Sequence, residues 1–181
     1  MQRFIDLIAE NIRNLNFERS KIDKMIEELD KADGIFVVGV GRSGFVARAF
    51  AMRLMHLGYR AFVIGETITP RIEKKDTLIA ISGSGETGYV VAIAKKAKEL
   101  GAKVIAITSS QTSTLAKLSD LSIPLKSKFG KEIANIAPLG TIFELTAMVF
   151  FDSIIAEIME RKKLKEEDLA KRHSIENEVV V

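Results

Sequence analysis

Ile35-Phe36-Val37-Val38-Gly39-Val40-Gly41-Arg42-Ser43-Gly44 is the stretch on which the fold turns. Ile35 to Val40 is a short apolar, β-branched run, the composition of a strand buried on both faces. Gly39, Gly41 and Gly44 fall at G-x-G-x-x-G spacing, and a helical pattern then runs to Leu57, with Gly58 as its stop. Strand, glycine turn and helix in that order open a parallel β-α-β unit. The pattern recurs: Ala61-Phe62-Val63-Ile64, Thr77-Leu78-Ile79-Ala80-Ile81, Val104-Ile105-Ala106-Ile107 and Leu121-Ser122-Ile123-Pro124 read as further strands. Helices are expected from Thr87 to Leu100, ended by Gly101, and from Thr112 to Leu118. This alternation predicts an α/β fold, a three-layer α-β-α sandwich around a parallel five-stranded sheet of the flavodoxin-like type. Right-handed crossovers gather the strand-to-helix turns on one edge, and in such sheets ligands bind at the carboxyl ends of the strands.

The flanks are helical. Phe4, Ile5, Ile8, Ile12 and Leu15 recur at helical spacing, as do Ile22, Met25, Ile26 and Leu29. Ser20 is positioned to cap the second of these helices. Leu125 to Pro138 reads as loop, Thr141 to about Met159 as a long helix, and Glu166 to Arg172 as a last one. The 181 residues suggest a single domain spanning 1–181: N-terminal helices over 1–33, an α/β core over 34–160, and a C-terminal helix and tail over 161–181.

Composition narrows the chemistry. There is no cysteine, which removes thiol nucleophiles, disulfides and cysteine metal sites and fits a reducing, cytoplasmic location. The net charge is only +3, and the longest basic run, Arg161-Lys162-Lys163, suits a solvated helix end, so no nucleic-acid partner is expected. The first residues lack the charged-then-apolar pattern of a signal peptide. Leu139 to Met159 is the most apolar stretch, but Glu144, Asp152 and Glu157 interrupt it. Charges at bilayer depth are costly, so a buried helix is expected and no membrane association.

Two strand-to-helix turns are rich in small polar residues. The first, Gly39 to Gly44, has the dinucleotide-binding spacing, yet no acidic residue stands at Met52 through Ile64 to hold a ribose; Glu66 comes later. The second, Ser82-Gly83-Ser84-Gly85-Glu86-Thr87, presents three hydroxyls and several N–H groups at a helix N-terminus, a small anion cradle. It has no lysine of the P-loop kind. Thr87 could equally be an ordinary N-cap. With both turns on one edge and Arg42 available for bidentate phosphate contact, an anion site is the favoured reading.

Three segments carry a resemblance to the sugar isomerase (SIS) domain family: Gly39 to Gly44, Ser82 to Thr87, and Pro138-Leu139-Gly140-Thr141-Ile142-Phe143-Glu144. The similarity runs from about Ile35 to His173. Within the family, Phe50 to Gly58, Gly65-Glu66-Thr67 and Lys171-Arg172-His173 resemble the branch that isomerises 3-hexulose 6-phosphate. The resemblance implies a phosphorylated ketohexose substrate and a carbonyl shift of one carbon, between a 3-hexulose 6-phosphate and fructose 6-phosphate. It implies that Ser82, Ser84 and Thr87 grip the phosphate with help from Ser43 and the backbone of Gly83 and Gly85, while Gly41 and Arg42 face the sugar. It further implies no metal, no organic cofactor, and a homotetramer whose sites are often completed by a neighbouring chain.

Such a shift needs a base to take a proton from the carbon beside the carbonyl, and a carboxylate within hydrogen-bond reach suffices. Glu144 is the candidate. Thr141-Ile142-Phe143-Glu144 is also an S/T-x-x-E capping box, in which Glu144 would only tie off a helix. The candidate acids are the two histidines, His56 and His173. The helix dipole alone accounts for a histidine in a last turn, as at His56; His173 could be a solvent-exposed helix end. Related enzymes carry a histidine in the loop after the second strand, but Glu66-Thr67-Ile68-Thr69-Pro70 has none, which argues against arabinose-phosphate isomerase. Three other readings stand beside this one: a non-catalytic phosphosugar sensor, another aldose-ketose phosphate isomerase, and an NAD-binding oxidoreductase built on the glycine turn.

Overall fold

The structure is a computed structural model that describes residues 1–126, 133 and 135–173. Its elements run α1 (Gln2–Arg13), α2 (Arg19–Lys31), β1 (Ile35–Val38), α3 (Arg42–His56), β2 (Ala61–Val63), β3 (Thr77–Ile81), α4 (Gly88–Glu99), β4 (Lys103–Thr108), α5 (Thr114–Leu118), β5 (Leu121–Pro124), α6 (Thr141–Lys162) and α7 (Glu166–Ala170). The five strands form one sheet in the order β2-β1-β3-β4-β5, and each neighbouring pair is parallel. The α/β sandwich expected from the alternation is the fold. The expected loop from Leu125 to Pro138 lies in large part outside the described residues.

Strand residues alternate between two cores because successive side chains leave opposite faces of a pleated strand. Ile35, Val37, Ile79, Ile81, Ile105 and Ile107 join one cluster with residues of α2, α3 and α6. Phe36, Val38, Leu78, Ala80, Val104 and Ala106 join the other, beneath α4 and α5. With both faces covered, β1, β3 and most of β4 are buried at every position. That explains why they read as unbroken apolar runs. α2 is part of the same core: Ile22, Met25, Ile26 and Leu29 are its buried face. α1 is tied on by a buried hydrogen bond, Asn11 Nδ2 donating to Thr146 Oγ1 at 2.8 Å.

α6 is the apolar stretch that begins at Leu139. It buries Ile142, Phe143, Ala147, Phe150, Phe151, Ile154, Ile155 and Ile158, and Phe151 stacks on Phe50 of α3 with ring centroids 4.1 Å apart. Among the described residues no helix is long and apolar enough to cross a membrane.

Several boundaries move for local reasons. β1 ends at Val38 rather than Val40, because the chain turns at Gly39 to bring α3 against it. A Cβ on Gly39 would lie 2.6 Å from the backbone oxygen of Ser43, so only glycine permits that approach. Ser20 does not cap α2: Glu18 occupies the N-cap position, and the Ser20 hydroxyl donates instead to the Glu18 carboxylate at 2.8 Å. α5 starts at Thr114 because Ser113 is its cap, its Oγ accepting from the Ala116 N–H. α6 extends to Lys162 and stops where Lys163 enters the left-handed region at φ 54°.

Candidate functional site

The sheet order has a switch point. β1 continues to β2 on one side, while β3, β4 and β5 extend on the other. Helices α3 and α4 therefore leave β1 and β3 on opposite faces, and a crevice opens between the turns that follow these two strands. Those turns are Gly39 to Gly41 and Ser82 to Thr87. The glycine spacing and the polar loop, separate along the chain, flank one crevice.

The second turn is built from its own side chains. Ser82 is buried, and its hydroxyl shares a hydrogen bond of 2.8 Å with the hydroxyl of Thr87. The Gly85 N–H donates to Ser82 Oγ at 3.1 Å, and the Glu86 N–H donates to Ser84 Oγ at 3.1 Å. Thr87 holds the N-cap position of α4, but its side chain caps no N–H. The ordinary-cap reading of Thr87 therefore gives way. The first-turn N–H groups of α4 keep their donor capacity, and α3 likewise begins at Gly41 with no side-chain cap. Free N–H groups and the positive ends of two helix dipoles face the crevice, the arrangement that binds phosphate.

Sequence reasoning overlooked the third turn on this edge, Ser109 to Ser113. It braces the Ser82 to Thr87 loop from behind. The Ser109 N–H and the Thr108 hydroxyl both donate to the Gly83 carbonyl, at 3.0 and 3.2 Å. The Leu115 N–H donates to the Gly85 carbonyl at 3.0 Å. Glu86 is part of the same brace, its carboxylate accepting the Thr114 N–H at 2.8 Å. That hydrogen bond holds the Glu86 carboxyl below the usual carboxylate range. The hydroxyl-rich composition of Ser109-Ser110-Gln111-Thr112-Ser113, again after a strand and before a helix, was the available signal.

The N-terminus of α6 closes the crevice. The Phe143 ring lies over Gly83, so close that a Cβ there would sit 3.1 Å from it. Glu144 reaches across to Arg42, and the Arg42 Nε donates to Glu144 Oε2 in a salt bridge. The Glu144 side chain is only 11% exposed, while Arg42 is 56% exposed. The capping box does not form. Gly140 is the N-cap, the Thr141 hydroxyl donates to the Pro138 carbonyl, and the Glu144 N–H donates to the Gly140 carbonyl at 3.1 Å. The carboxylate is thus free of structural duty to its own helix. Just before it, Leu139 has φ 51° and is 94% exposed. A bulky residue in the left-handed region is strained, and such strain gathers at functional sites.

The histidines lie elsewhere. Arg42 begins α3 and His56 ends it, 15 residues in all, so at 1.5 Å per residue they stand roughly 21 Å apart. His173, just beyond α7, stacks on His56 with ring centroids 4.9 Å apart. Within one chain the structure gathers Gly41, Arg42, Ser43, Ser82 to Thr87 and Glu144, and leaves His56 and His173 on the opposite edge of the sheet.

His56 is buried, and burial, then the charges of His173 and Arg53, hold its pKa below the ordinary imidazole value. The unfolded chain therefore takes up this proton first as pH falls. Its stabilising contribution is present above the unfolded imidazole pKa of about 6.5 and is lost as pH drops toward the lower folded value. Melting temperature is expected to fall on acidification from neutral pH to 5, and His56→Gln to flatten that slope in a thermal-denaturation series. An unchanged slope would show that His56 is not the group responsible.

An anion cradle of hydroxyls and helix N-termini at the switch point of a five-stranded parallel sheet, with a carboxylate–guanidinium pair beside it, defines a class. The sequence profile of the SIS domain family matches residues 28–151, and the chain belongs to that family. Along its length it is similar to a 3-hexulose-6-phosphate isomerase of Methanocaldococcus jannaschii, with 46% identity covering 93% of this chain and 94% of the relative. An uncharacterized protein of Archaeoglobus fulgidus is 51% identical over 97% of this chain and 99% of its own. The crystal structure of a Methanococcus jannaschii protein, from which a 3-hexulose-6-phosphate isomerase function was inferred, superposes with a TM-score of 0.85 at 44% identity, covering 94% of this chain and 97% of that one.

Proposed function

We propose that the chain is a ketose-phosphate isomerase that interconverts D-arabino-hex-3-ulose 6-phosphate and fructose 6-phosphate. The observation that carries this reading is the convergence of the Ser82 to Thr87 loop with the Arg42–Glu144 pair in one crevice. Relatives bearing that name along nearly the whole chain support the choice of substrate.

In this reading the phosphate enters the loop and breaks the Ser82–Thr87 hydrogen bond, so that both hydroxyls turn to it with Ser84. Ser43 and the Gly83 N–H complete the shell, Gly85 holds the loop's turn, and Gly41 leaves space for the sugar. Glu144 takes the proton from the hydroxyl-bearing carbon beside the carbonyl. An enediol forms as the carbonyl oxygen gains a proton. Glu144 returns its proton to the former carbonyl carbon, and the hydroxyl on the other carbon becomes the new carbonyl. Arg42 lies where its charge stabilises the developing oxyanion. The exchange is internal to the substrate, so its electron balance calls for no cofactor. Both histidines lie across the sheet from Glu144, and His56 is buried within its own chain, so the exposed His173 of a neighbouring chain in a cytoplasmic homotetramer serves as the acid.

The test is an isomerase assay started from fructose 6-phosphate with detection of a 3-ketose product. Ser84→Ala removes a charge-assisted hydrogen bond and is expected to raise KM by on the order of tenfold or more while kcat changes little. Stabilisation by fructose 6-phosphate without any 3-ketose product would favour a phosphosugar sensor. Stabilisation by NAD alone would favour the oxidoreductase reading.

A further inference from the structure

A cavity of about 570 Å³ lies away from the crevice described above. It opens at the other edge of the sheet, where β1, β2 and β3 begin. The five residues of β3, at about 3.3 Å each, put roughly 17 Å between this cavity and Ser82. Its volume lies within the range of small-molecule sites, roughly 300–1,000 Å³.

Its floor is aromatic. Phe36 is buried, and the partly exposed ring of Phe62 lies against it with centroids 5.0 Å apart. Gly34 keeps the floor open: a Cβ there would meet Asp76 Oδ1 at 3.0 Å and both rings at 3.3 and 3.4 Å. The Arg60 guanidinium stands 5.9 Å above the Phe62 ring. A flat ring that stacks on Phe62 displaces the exposed Arg60 side chain outward, and then has an aromatic face below and a cation above.

Its rim carries four cations. Arg60, Arg71, Lys74 and Lys75 all line the cavity and are exposed. Among the described residues none of the four is drawn into an ion pair. Three carboxylates, of Asp33, Glu73 and Asp76, also line it. Asp76 is buried and committed, its Oδ2 accepting the Glu73 N–H at 2.6 Å, which fixes the turn that carries Lys74 and Lys75. The backbone of the rim is pinned to the sheet as well. The Ile35 N–H donates to the Arg60 carbonyl at 2.8 Å, and the Asp33 N–H to the Lys75 carbonyl at 3.1 Å. The backbone from which the cations of Arg60 and Lys75 project is therefore fixed before any ligand arrives.

We propose that this cavity is a second binding site, for a mononucleotide-like ligand whose planar base stacks between Phe62 and Arg60 and whose phosphate is met by Arg71, Lys74 and Lys75. The site is separate from the isomerase crevice and does not depend on the reaction assigned there.

AMP is the probe, with adenosine and inorganic tripolyphosphate as controls for the ring and the charge, titrated calorimetrically into the full-length protein. AMP is expected to bind once per chain and more tightly than either control, because it alone engages both halves of the cavity. The double variant Arg71→Glu/Lys74→Glu is expected to weaken AMP by on the order of tenfold or more and to leave fructose 6-phosphate isomerisation unchanged, which also verifies its fold. Phe62→Ala should weaken AMP without altering tripolyphosphate, and Ser84→Ala should leave AMP binding intact. Three outcomes overturn the proposal: no AMP binding at millimolar concentration, binding that survives the charge reversal, or binding abolished by Ser84→Ala, which would place AMP in the phosphate loop.

Discussion

Glu144→Gln is expected to keep its fold and its affinity for fructose 6-phosphate and to lose turnover by about 10²–10⁴-fold, the usual contribution of a positioned general base. The variant is informative because the α6 N-terminus is closed by backbone groups, with Gly140 at the N-cap and its carbonyl accepting the Glu144 N–H. The carboxylate can be neutralised without unwinding the helix. Its one described partner, Arg42, is more than half exposed, so water takes over the guanidinium at little cost to stability. A glutamine is nearly isosteric but cannot accept the substrate proton. Loss confined to kcat marks a group that acts in the transition state, whereas a rise in KM alone would mark a binding group. Turnover close to that of the unaltered protein, in a variant of normal melting temperature, would remove Glu144 from the chemistry.

Gly85→Ala is expected to damage both stability and binding. Gly85 sits at φ 69°, and a Cβ there would lie 2.1 Å from Ser113 Oγ, 2.5 Å from Ser113 Cβ and 2.9 Å from Thr108 Oγ1. Nothing nearby can give cheaply. Thr108 and Ser113 are buried; Ser113 caps α5, and its hydroxyl is committed to the Ser110 carbonyl at 2.8 Å. Left-handed strain and overpacking each cost about 1–3 kcal/mol, so a loss of roughly 2–6 kcal/mol is expected. In a chain of this size that lowers the melting temperature by on the order of 10 °C. If the loop shifts to relieve the clash, the hydroxyls of Ser82, Ser84 and Thr87 lose their common aim, and fructose 6-phosphate should no longer raise the melting temperature. A variant that melts normally and is still stabilised by the sugar phosphate would show that the loop does not depend on this close approach.

The residues of the cradle are legible in the sequence because their signal is local. Serine, glycine and threonine between an apolar run and a helical pattern describe a strand-to-helix turn and its donors without reference to the rest of the chain. The brace behind it is less legible. Ser109 to Ser113 has the same composition, but its role depends on β4 lying beside β3, which is a property of the sheet. Glu144 is legible as a carboxylate at a helix start and misleading in its context. The S/T-x-x-E pattern implies a capping box, and only the left-handed turn at Leu139 and Gly140 moves the cap one residue earlier and sends the carboxylate toward Arg42. The histidines are legible as residue types alone. Nothing around His56 or His173 in sequence indicates that the two rings stack on each other, across the sheet from Glu144.

The opening stretch from Ile35 to Gly44 divides the two kinds of knowledge. Read by itself it determined a buried strand, a tight glycine turn and a helix, and the repeats of that pattern determined a parallel sheet with covered faces. These follow from period and composition, which neighbouring residues express directly. That β1 lies between β2 and β3, so that its turn meets the Ser82 loop at a switch point, was decided only by tertiary structure. So was the pairing of Arg42 with Glu144, 102 positions further on. The physical reason is that strand order and long-range pairing come from how α3 and α6 on one face and α4 and α5 on the other bury the sheet together, and no local window of sequence carries that sum.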